Sequence, residues 1–372
     1  MKLLVVTPAV DENHGVLGFI PTWLRKLAAK TEKLYVLTPW LDETTTLPDN
    51  VEVHDYSGVK EWDKLGFFTK ACKALRWRLR WLALMFRLLP RVDGVFCHMY
   101  PSFTLMAGPC AKLLGKPVVT WYTHGHVSRR LRLASVLADR IVTASSESYR
   151  LKSGKVIVTG HGIDLERFRP ETDDETKKEG CELLTAGRIS PTKDLETVIR
   201  AVYLLGQEEG RHDIRLVVAG GTPPAATDDY LDSLKKLVDE LGLYKRVAFT
   251  GPVPYTDMPA RYRRSDLFVS PSRTGSVDKT VLEAMASGKP ALACNETFRD
   301  VFGPDAETLL FAPGDAADLA GKISDLLAMD DTARRELGEN LRAIVRERHD
   351  LDGLVDKLLA VFASLKKGKG SA

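Results

Sequence analysis

Short apolar runs rich in Val, Leu and Ile recur along the chain, separated by longer stretches in which apolar residues return every three or four positions. A strand buried on both faces needs apolar side chains throughout, whereas a helix packed on a sheet needs them along one stripe only. The alternation therefore predicts parallel strands joined by crossover helices. In the first half the strands fall at KLLVVT (2–7), KLYVLT (33–38), DGVFCH (93–98), KPVVTWY (116–122), DRIVTAS (139–145) and KVIVTG (155–160). The rhythm resumes with CELLTAGR (181–188), DIRLVVAGG (213–221), RVAFTG (246–251), DLFVSPS (266–272) and PALAC (290–294).

Between the two sets lies FRPETDDETKKEG (168–180), charged, carrying Pro170 and without apolar period, which reads as a solvated linker. The expected organisation is thus an α/β chain of two Rossmann-like domains, 1–167 and 181–350, joined by residues 168–180. A last amphipathic helix, 351–366, with Leu351, Leu354, Leu358, Leu359, Val361 and Phe362, follows a complete second unit and is expected to return to the first. Open parallel sheets gather ligands at the C-terminal ends of their strands, so the loops there are where chemistry is sought.

Length agrees with two cores, since 372 residues exceed what one core usually supports. A net charge of +3 is small for this size and gives no reason to expect nucleic-acid binding. The cysteines at 72, 97, 110, 181 and 294 lie far apart, without zinc or dithiol spacing, and fit a reducing compartment. LLVV at the N-terminus ends at Thr7 and Pro8 and reads as a first strand, not as a secretory h-region. The stretch 79–89 is interrupted by Arg80 and Arg87 and cannot span a bilayer. Residues 67–91 are nonetheless cationic and aromatic (Phe67, Phe68, Lys70, Lys73, Arg76, Trp77, Arg78, Arg80, Trp81, Phe86, Arg87, Arg91). Two readings stay open: a helix lying on an anionic membrane surface, or one packed on the sheet with solvated arginines.

The most informative segment is PSRTGSVDKTVLEAMASGKPALAC (271–294), in which a strand ends, a glycine-bearing loop follows and a helix opens near Lys279. Unpaired N–H groups at that helix start suit a phosphate, and Glu283, one turn in, suits a pair of ribose hydroxyls; a helix cap with a surface Glu is the plainer alternative. AGRISPTKD (186–194) also follows a strand, and its turn allows Arg188 and Lys193 to point into one crevice as a planar fork and a point charge for phosphate oxygens; two solvated cations are the alternative. In VTGHGIDLERFRP (158–170), Gly160 and Gly162 permit tight turns and Asp164 caps a short helical turn, which suggests a structural hinge. His124, in WYTHGH, follows a strand, and a lone histidine there is more often structural. His126 and His98 are weaker candidates, and His98 reads as a partly buried residue at a sheet edge. Gly15 and Gly18 lie in the loop between the first strand and its helix. No metal site is apparent, because the pairs Asp173–Asp174 and Asp228–Asp229 are explained by solvation and helix-start charge.

Taken together, THG after a strand, GID with a following proline, GR with a following Lys, and PS with LEAMASGKP resemble the retaining glycosyltransferases of GT-B fold, glycosyltransferase family 4 or glycosyl transferases group 1, over nearly the whole chain. The resemblance implies two Rossmann-like domains facing each other across a cleft. It implies that Arg188 and Lys193 bind the donor diphosphate, that Glu283 holds the ribose, that His124 lies near the donor sugar, and that the loop of Gly15 and Gly18 approaches the phosphate or the acceptor. Two positions depart from it. Asp194 stands where a glycine is common, and Gly275 replaces the first of two glutamates eight positions apart. We therefore expect the N–H groups of Gly275, Ser276 and Val277, with Asp278 or Lys279, to take over part of the missing contact.

The implied activity is transfer of a sugar from a UDP- or GDP-sugar to a glycan or lipid-linked acceptor, without metal or cofactor, in the cytoplasm or at the inner face of the membrane. The alternatives are a GT-B nucleotide-sugar epimerase and a catalytically silent nucleotide-sugar-binding subunit. A Rossmann oxidoreductase is disfavoured because no G-x-G-x-x-G follows the first strand.

Overall fold

The computed structural model describes residues 1–57, 67–170, 180–222, 228–273 and 275–367, with backbone alone over 67–75 and at 367. The chain divides into two compact units, Met1–Gly162 with Leu351–Ala372, and Ile163–Asp350.

The first unit holds a parallel seven-stranded sheet in the order β3-β2-β1-β4-β5-β6-β7. Its strands are β1 (Lys2–Val6), β2 (Lys33–Thr38), β3 (Val51–Asp55), β4 (Gly94–His98), β5 (Val118–Trp121), β6 (Arg140–Thr143) and β7 (Val156–Val158). Its helices are α1 (Ile20–Ala29), α2 (Phe67–Leu88), α3 (Pro101–Leu113) and α4 (Arg129–Leu137). The interior strands are continuous apolar runs buried on both faces, as parallel packing demands. Strand β3 was not expected. Its sequence VEVHD lies at the edge of the sheet and is only half-buried, so it never forms the uninterrupted apolar run that marks its neighbours.

Helix α2 packs one face on the sheet and leaves another exposed. Trp81, Met85 and Leu88 are buried against Tyr56 and the sheet, while Leu79, Leu82 and Phe86 are 59%, 42% and 46% exposed. Arg76, Arg78, Arg80 and Arg87 are exposed around that apolar stripe. The side chains of Phe67, Phe68, Lys70 and Lys73 lie outside the described residues. No helix among the described residues is long and apolar enough to cross a membrane.

The second unit holds a parallel five-stranded sheet, β10-β9-β8-β11-β12, from β8 (Cys181–Ala186), β9 (Ile214–Ala219), β10 (Val247–Gly251), β11 (Leu267–Ser270) and β12 (Ala291–Ala293). Around it lie α5 (Leu195–Glu208), α6 (Asp229–Glu240), α7 (Met258–Arg264), α8 (Lys279–Ala286), the single turns α9 (Arg299–Phe302) and α10 (Ala306–Leu309), α11 (Ala316–Ala328) and α12 (Asp331–Arg348).

The division falls at Gly162–Ile163, five residues before the expected end of the first domain. The reason is packing: Ile163 and Phe168 are fully buried in the second core, and Arg342 of α12 donates to the carbonyls of Leu165, Phe168 and Ala286. Asp164 caps the intervening turn, accepting from the N–H groups of Glu166 (3.0 Å) and Arg167 (3.1 Å). Residues 171–179 of the expected linker lie outside the described residues.

The last helix, α13 (Leu351–Lys367), belongs to the first unit. Leu351, Leu354, Leu358 and Phe362 are buried, and Lys26 and Lys30 of α1 reach Asp352 and Asp356 at 2.9 and 2.7 Å. Gly94 makes the close approach possible, since a Cβ there would stand 2.6 Å from the Phe362 ring.

Candidate functional site

In the second unit, the loops leaving β8 and β11 meet at the C-terminal edge of the sheet. After β8 the chain passes Gly187 and enters a short turn, Pro191–Lys193. Gly220, at φ 153°, lies so close to the Gly187 carbonyl that no side chain fits between them. Lys193 and Arg188 line the same small recess, with Thr185, Ala186, Gly187, Leu195 and Val218. Arg188 is exposed and forms no hydrogen bond or ion pair among the described residues. Lys193 is largely buried and committed: its ammonium donates to Ser272 Oγ and to Asp278 Oδ2, each at 3.1 Å.

Asp194 resolves the first departure from the family pattern. It adopts φ 42°, ψ 48°, the left-handed conformation that a glycine would take freely and that aspartate tolerates better than most residues. Its carboxylate accepts from Thr197 Oγ1 (2.9 Å) and pairs with the Arg273 guanidinium, while the Arg273 N–H donates to Thr192 O (3.2 Å). The two loops are thereby tied together.

Gly275, at the second departure, has φ 66°, so a glutamate could not occupy this backbone without strain. Ser276 offers its carbonyl to Asn295 Nδ2 (2.8 Å), and the Val277 side chain is buried in the core. Asp278 is the N-cap residue of α8, yet its carboxylate caps no helix N–H. It accepts instead from Lys193 and from Ser270 Oγ (3.1 Å).

Glu283 is not in the recess with Arg188 and Lys193. It is 3% exposed, accepts from the Tyr262 hydroxyl (3.0 Å) and pairs with the Lys279 ammonium (3.5 Å). That ammonium also donates to the Tyr255 hydroxyl (3.4 Å) and lies 4.9 Å above its ring. Arg167 stacks over the same ring at 5.6 Å. Burial pushes the Glu283 carboxyl above its ordinary range, against the pull of Lys279 and the two tyrosines, and lowers Lys279 to about 8. Tyr255 and Tyr262 are raised, first by burial and then by the neighbouring carboxylate. Nothing in the sequence marked Tyr255, Tyr262 or Arg167 as neighbours of Glu283. Ser272 and Arg273 lay within the informative segment but carried no signal of their own.

In the first unit, His124 is exposed, with its ring 6.5 Å from that of Tyr122, and the His126 carbonyl accepts from the Tyr122 hydroxyl (2.6 Å). His98 is not at a sheet edge: it ends the central strand β4, is 2% exposed, meets Thr7 Oγ1 at 3.1 Å and stacks on Phe96. Before α1, Gly15 is exposed and Gly18 buried, the latter donating to His14 O (2.9 Å). Among the described residues no cluster of three His, Cys, Asp or Glu is arranged to hold a metal ion. The free cysteines 97, 181 and 294 are buried, which raises their thiols to about 12, 12 and 11 and keeps them inert.

Two cations sharing a recess at strand ends, beside a helix start without a side-chain cap, is an anion-binding arrangement on a parallel sheet. Residues 168–344 match the family glycosyl transferases group 1. This glycosyl transferases group 1 match spans nearly all of the second unit. Over 269 residues the chain is 29% identical to the D-inositol 3-phosphate glycosyltransferase of Nocardia farcinica, covering 66% of this chain and 59% of that protein. Over 224 residues it is 31% identical to the alpha-monoglucosyldiacylglycerol synthase of Streptococcus pneumoniae, covering 57% and 48%. The chain thus spans roughly half the length of the curated relatives it matches. The whole fold is shared with Alr3699/HepE of Anabaena, solved in complex with UDP, at a TM-score of 0.77 and 18% identity over 98% of this chain and 100% of that one. The architecture of two α/β domains with parallel sheets is that of the GT-B glycosyltransferases.

Proposed function

We propose that the chain is a retaining, metal-independent glycosyltransferase that moves a sugar from a nucleotide-diphosphate donor, UDP- or GDP-linked, to a glycan or lipid-linked acceptor. The observation that carries the reading is the recess shared by Arg188 and Lys193, bordered through Asp278 by the start of α8. When the bond from sugar to phosphate breaks, negative charge grows on the departing diphosphate. Two cations and a helix start without a side-chain cap at that place stabilise the growing charge more than the ground state, which lowers the barrier. The same cations do the work that a divalent ion would otherwise do. Retention of configuration, and a role for His124 at the sugar, are carried by the family resemblance.

A lipid-linked acceptor is favoured by α2, whose exposed Leu79, Leu82 and Phe86 are interleaved with arginines, and by the name of the Streptococcus pneumoniae relative. Such a helix face binds anionic lipid by apolar burial and charge together. The protein should co-sediment with vesicles containing anionic lipid. Replacing Arg80 and Arg87 by Gln should weaken that binding by about 2 kcal/mol, at about 1 kcal/mol per cation near the surface. Equal binding to neutral vesicles, or none at low salt, would remove the membrane from the reading.

A second reading, a silent nucleotide-sugar-binding chain, is favoured by the internal partners that already occupy Lys193 and Glu283. Incubation with UDP-, GDP- and ADP-sugars, following thermal stabilisation and nucleotide release, separates the two. Release by one donor supports transfer, stabilisation without release supports the silent chain, and a donor returned with one hydroxyl inverted identifies an epimerase. If no nucleotide stabilises the protein, both readings fall.

A further inference from the structure

The first turn of α8 presents an anion with an incomplete welcome. An aspartate at the N-cap ordinarily spends its carboxylate on the helix's own N–H groups. Asp278 does not: its carboxylate turns to Lys193 (3.1 Å) and Ser270 Oγ (3.1 Å) and leaves the helix start without a side-chain cap. Lys193 and Asp278 are both largely buried, at 17% and 14% exposure, so neither charge is well hydrated and each is the other's counter-ion. A diphosphate entering the recess meets the exposed Arg188 and a helix start that no side chain caps, but finds the ammonium of Lys193 already neutralised by a carboxylate.

We propose that Asp278 is a built-in competitor of the diphosphate: it holds the Lys193 ammonium oriented and its charge balanced in the empty protein and is displaced from it when a nucleoside diphosphate binds. The inference rests on the diphosphate-binding reading above. The empty site trades nucleotide affinity for order, because every phosphate contact with Lys193 costs one existing ion pair. Discrimination follows as well, since only a ligand with enough negative charge to outbid a carboxylate gains the lysine. A nucleoside or a neutral sugar cannot. The two serines help the exchange: Ser272 keeps the ammonium in place while its partner changes, and Ser270 keeps a hydrogen bond for the released carboxylate.

Titration calorimetry with UDP, GDP and ADP, and with the matching nucleosides, tests this on the full chain and on Asp278→Asn, Lys193→Ala and the double variant. Asp278→Ser is run beside them, because it also removes the charge and restores a hydroxyl N-cap. The expected result is that both Asp278 variants bind the diphosphate at least tenfold more tightly, with no change for the nucleoside, and that the gain disappears in the Lys193→Ala background. In thermal unfolding the empty Asp278 variants should melt below the parent, while the stabilisation brought by diphosphate should exceed the parent's. Unchanged or weaker diphosphate binding in folded Asp278 variants overturns the inference and leaves the functional reading standing. Binding of no nucleoside diphosphate by any of the five proteins overturns the functional reading itself, and the inference with it.

Discussion

The two ends of the segment 271–283 place charge in opposite ways. At one end Lys193 and Asp278 meet in a recess beside the exposed Arg188, held by hydroxyls and an ion pair. At the other, Glu283 is buried and accepts from the Tyr262 hydroxyl, while Lys279, 19% exposed, pairs with it and donates to the Tyr255 hydroxyl. A charge pair bordering a recess with an exposed cation can exchange one partner for a ligand. A carboxylate as deeply buried as Glu283, bound to a tyrosine hydroxyl, is part of what keeps the structure unique. The nucleotide binding proposed above would change partners at the first end, whereas Glu283 at the second accepts from Tyr262 and Lys279 within the fold.

The largest effect expected from this contrast is on stability. Glu283→Ala leaves Lys279 without its carboxylate and the buried Tyr262 hydroxyl without its acceptor, and should cost about 3 kcal/mol in denaturant unfolding. Replacing Lys279→Met and Glu283→Leu together should recover most of that loss, since the desolvation cost disappears with the pair. A Glu283→Ala protein of parental stability that simply fails to bind nucleotide would reverse the assignment.

At the open end the effect should appear in rate. Lys193→Ala and Arg188→Ala should each slow transfer roughly 10- to 200-fold, as the loss of a charge-assisted hydrogen bond of about 1.5–3 kcal/mol implies, with far smaller changes in unfolding. Less than a tenfold effect in both would remove these cations from the reaction.

Between the two ends stands Asp194. Its left-handed backbone predicts that Asp194→Ala, which loses both the conformation and the links to Thr197 and Arg273, destabilises by about 1 kcal/mol. Asp194→Gly should cost less, since glycine keeps the conformation. Thermal unfolding of the two variants ranks them.

The smallest effect concerns pH. Lys279 is lowered to about 8 by burial, below its unfolded value of about 10.4. Above pH 8 the folded protein has released a proton that the unfolded chain still holds, so this residue's contribution to stability rises with pH across that window. Read between about pH 8 and 9.5, below the range in which tyrosines ordinarily titrate, the stability curve should flatten in Lys279→Met.

Most of the fold was legible because parallel strands buried on both faces write themselves as apolar runs. Where a strand is exposed on one side, as in VEVHD, the same logic hides it. The loops after β8 and β11 were legible too, and they do bring Lys193 to Asp278 across 85 positions. What the sequence could not show is which partner each charge chooses. Glu283 lies 21 positions from Tyr262, and Lys279 lies 24 from Tyr255, separations set by how α7 and α8 pack and by no local pattern. Asp194 shows the reverse case, an apparent departure that conserves the backbone geometry a glycine would give.

The fastening of α13 to α1 also orders events during synthesis. Residues 163–350 leave the ribosome as a contiguous stretch and have all of their own sheet before α13 is made. The sheet of the first unit must instead wait, its face at Gly94 uncovered and Lys26 and Lys30 without their acidic partners, until α13 emerges to close it.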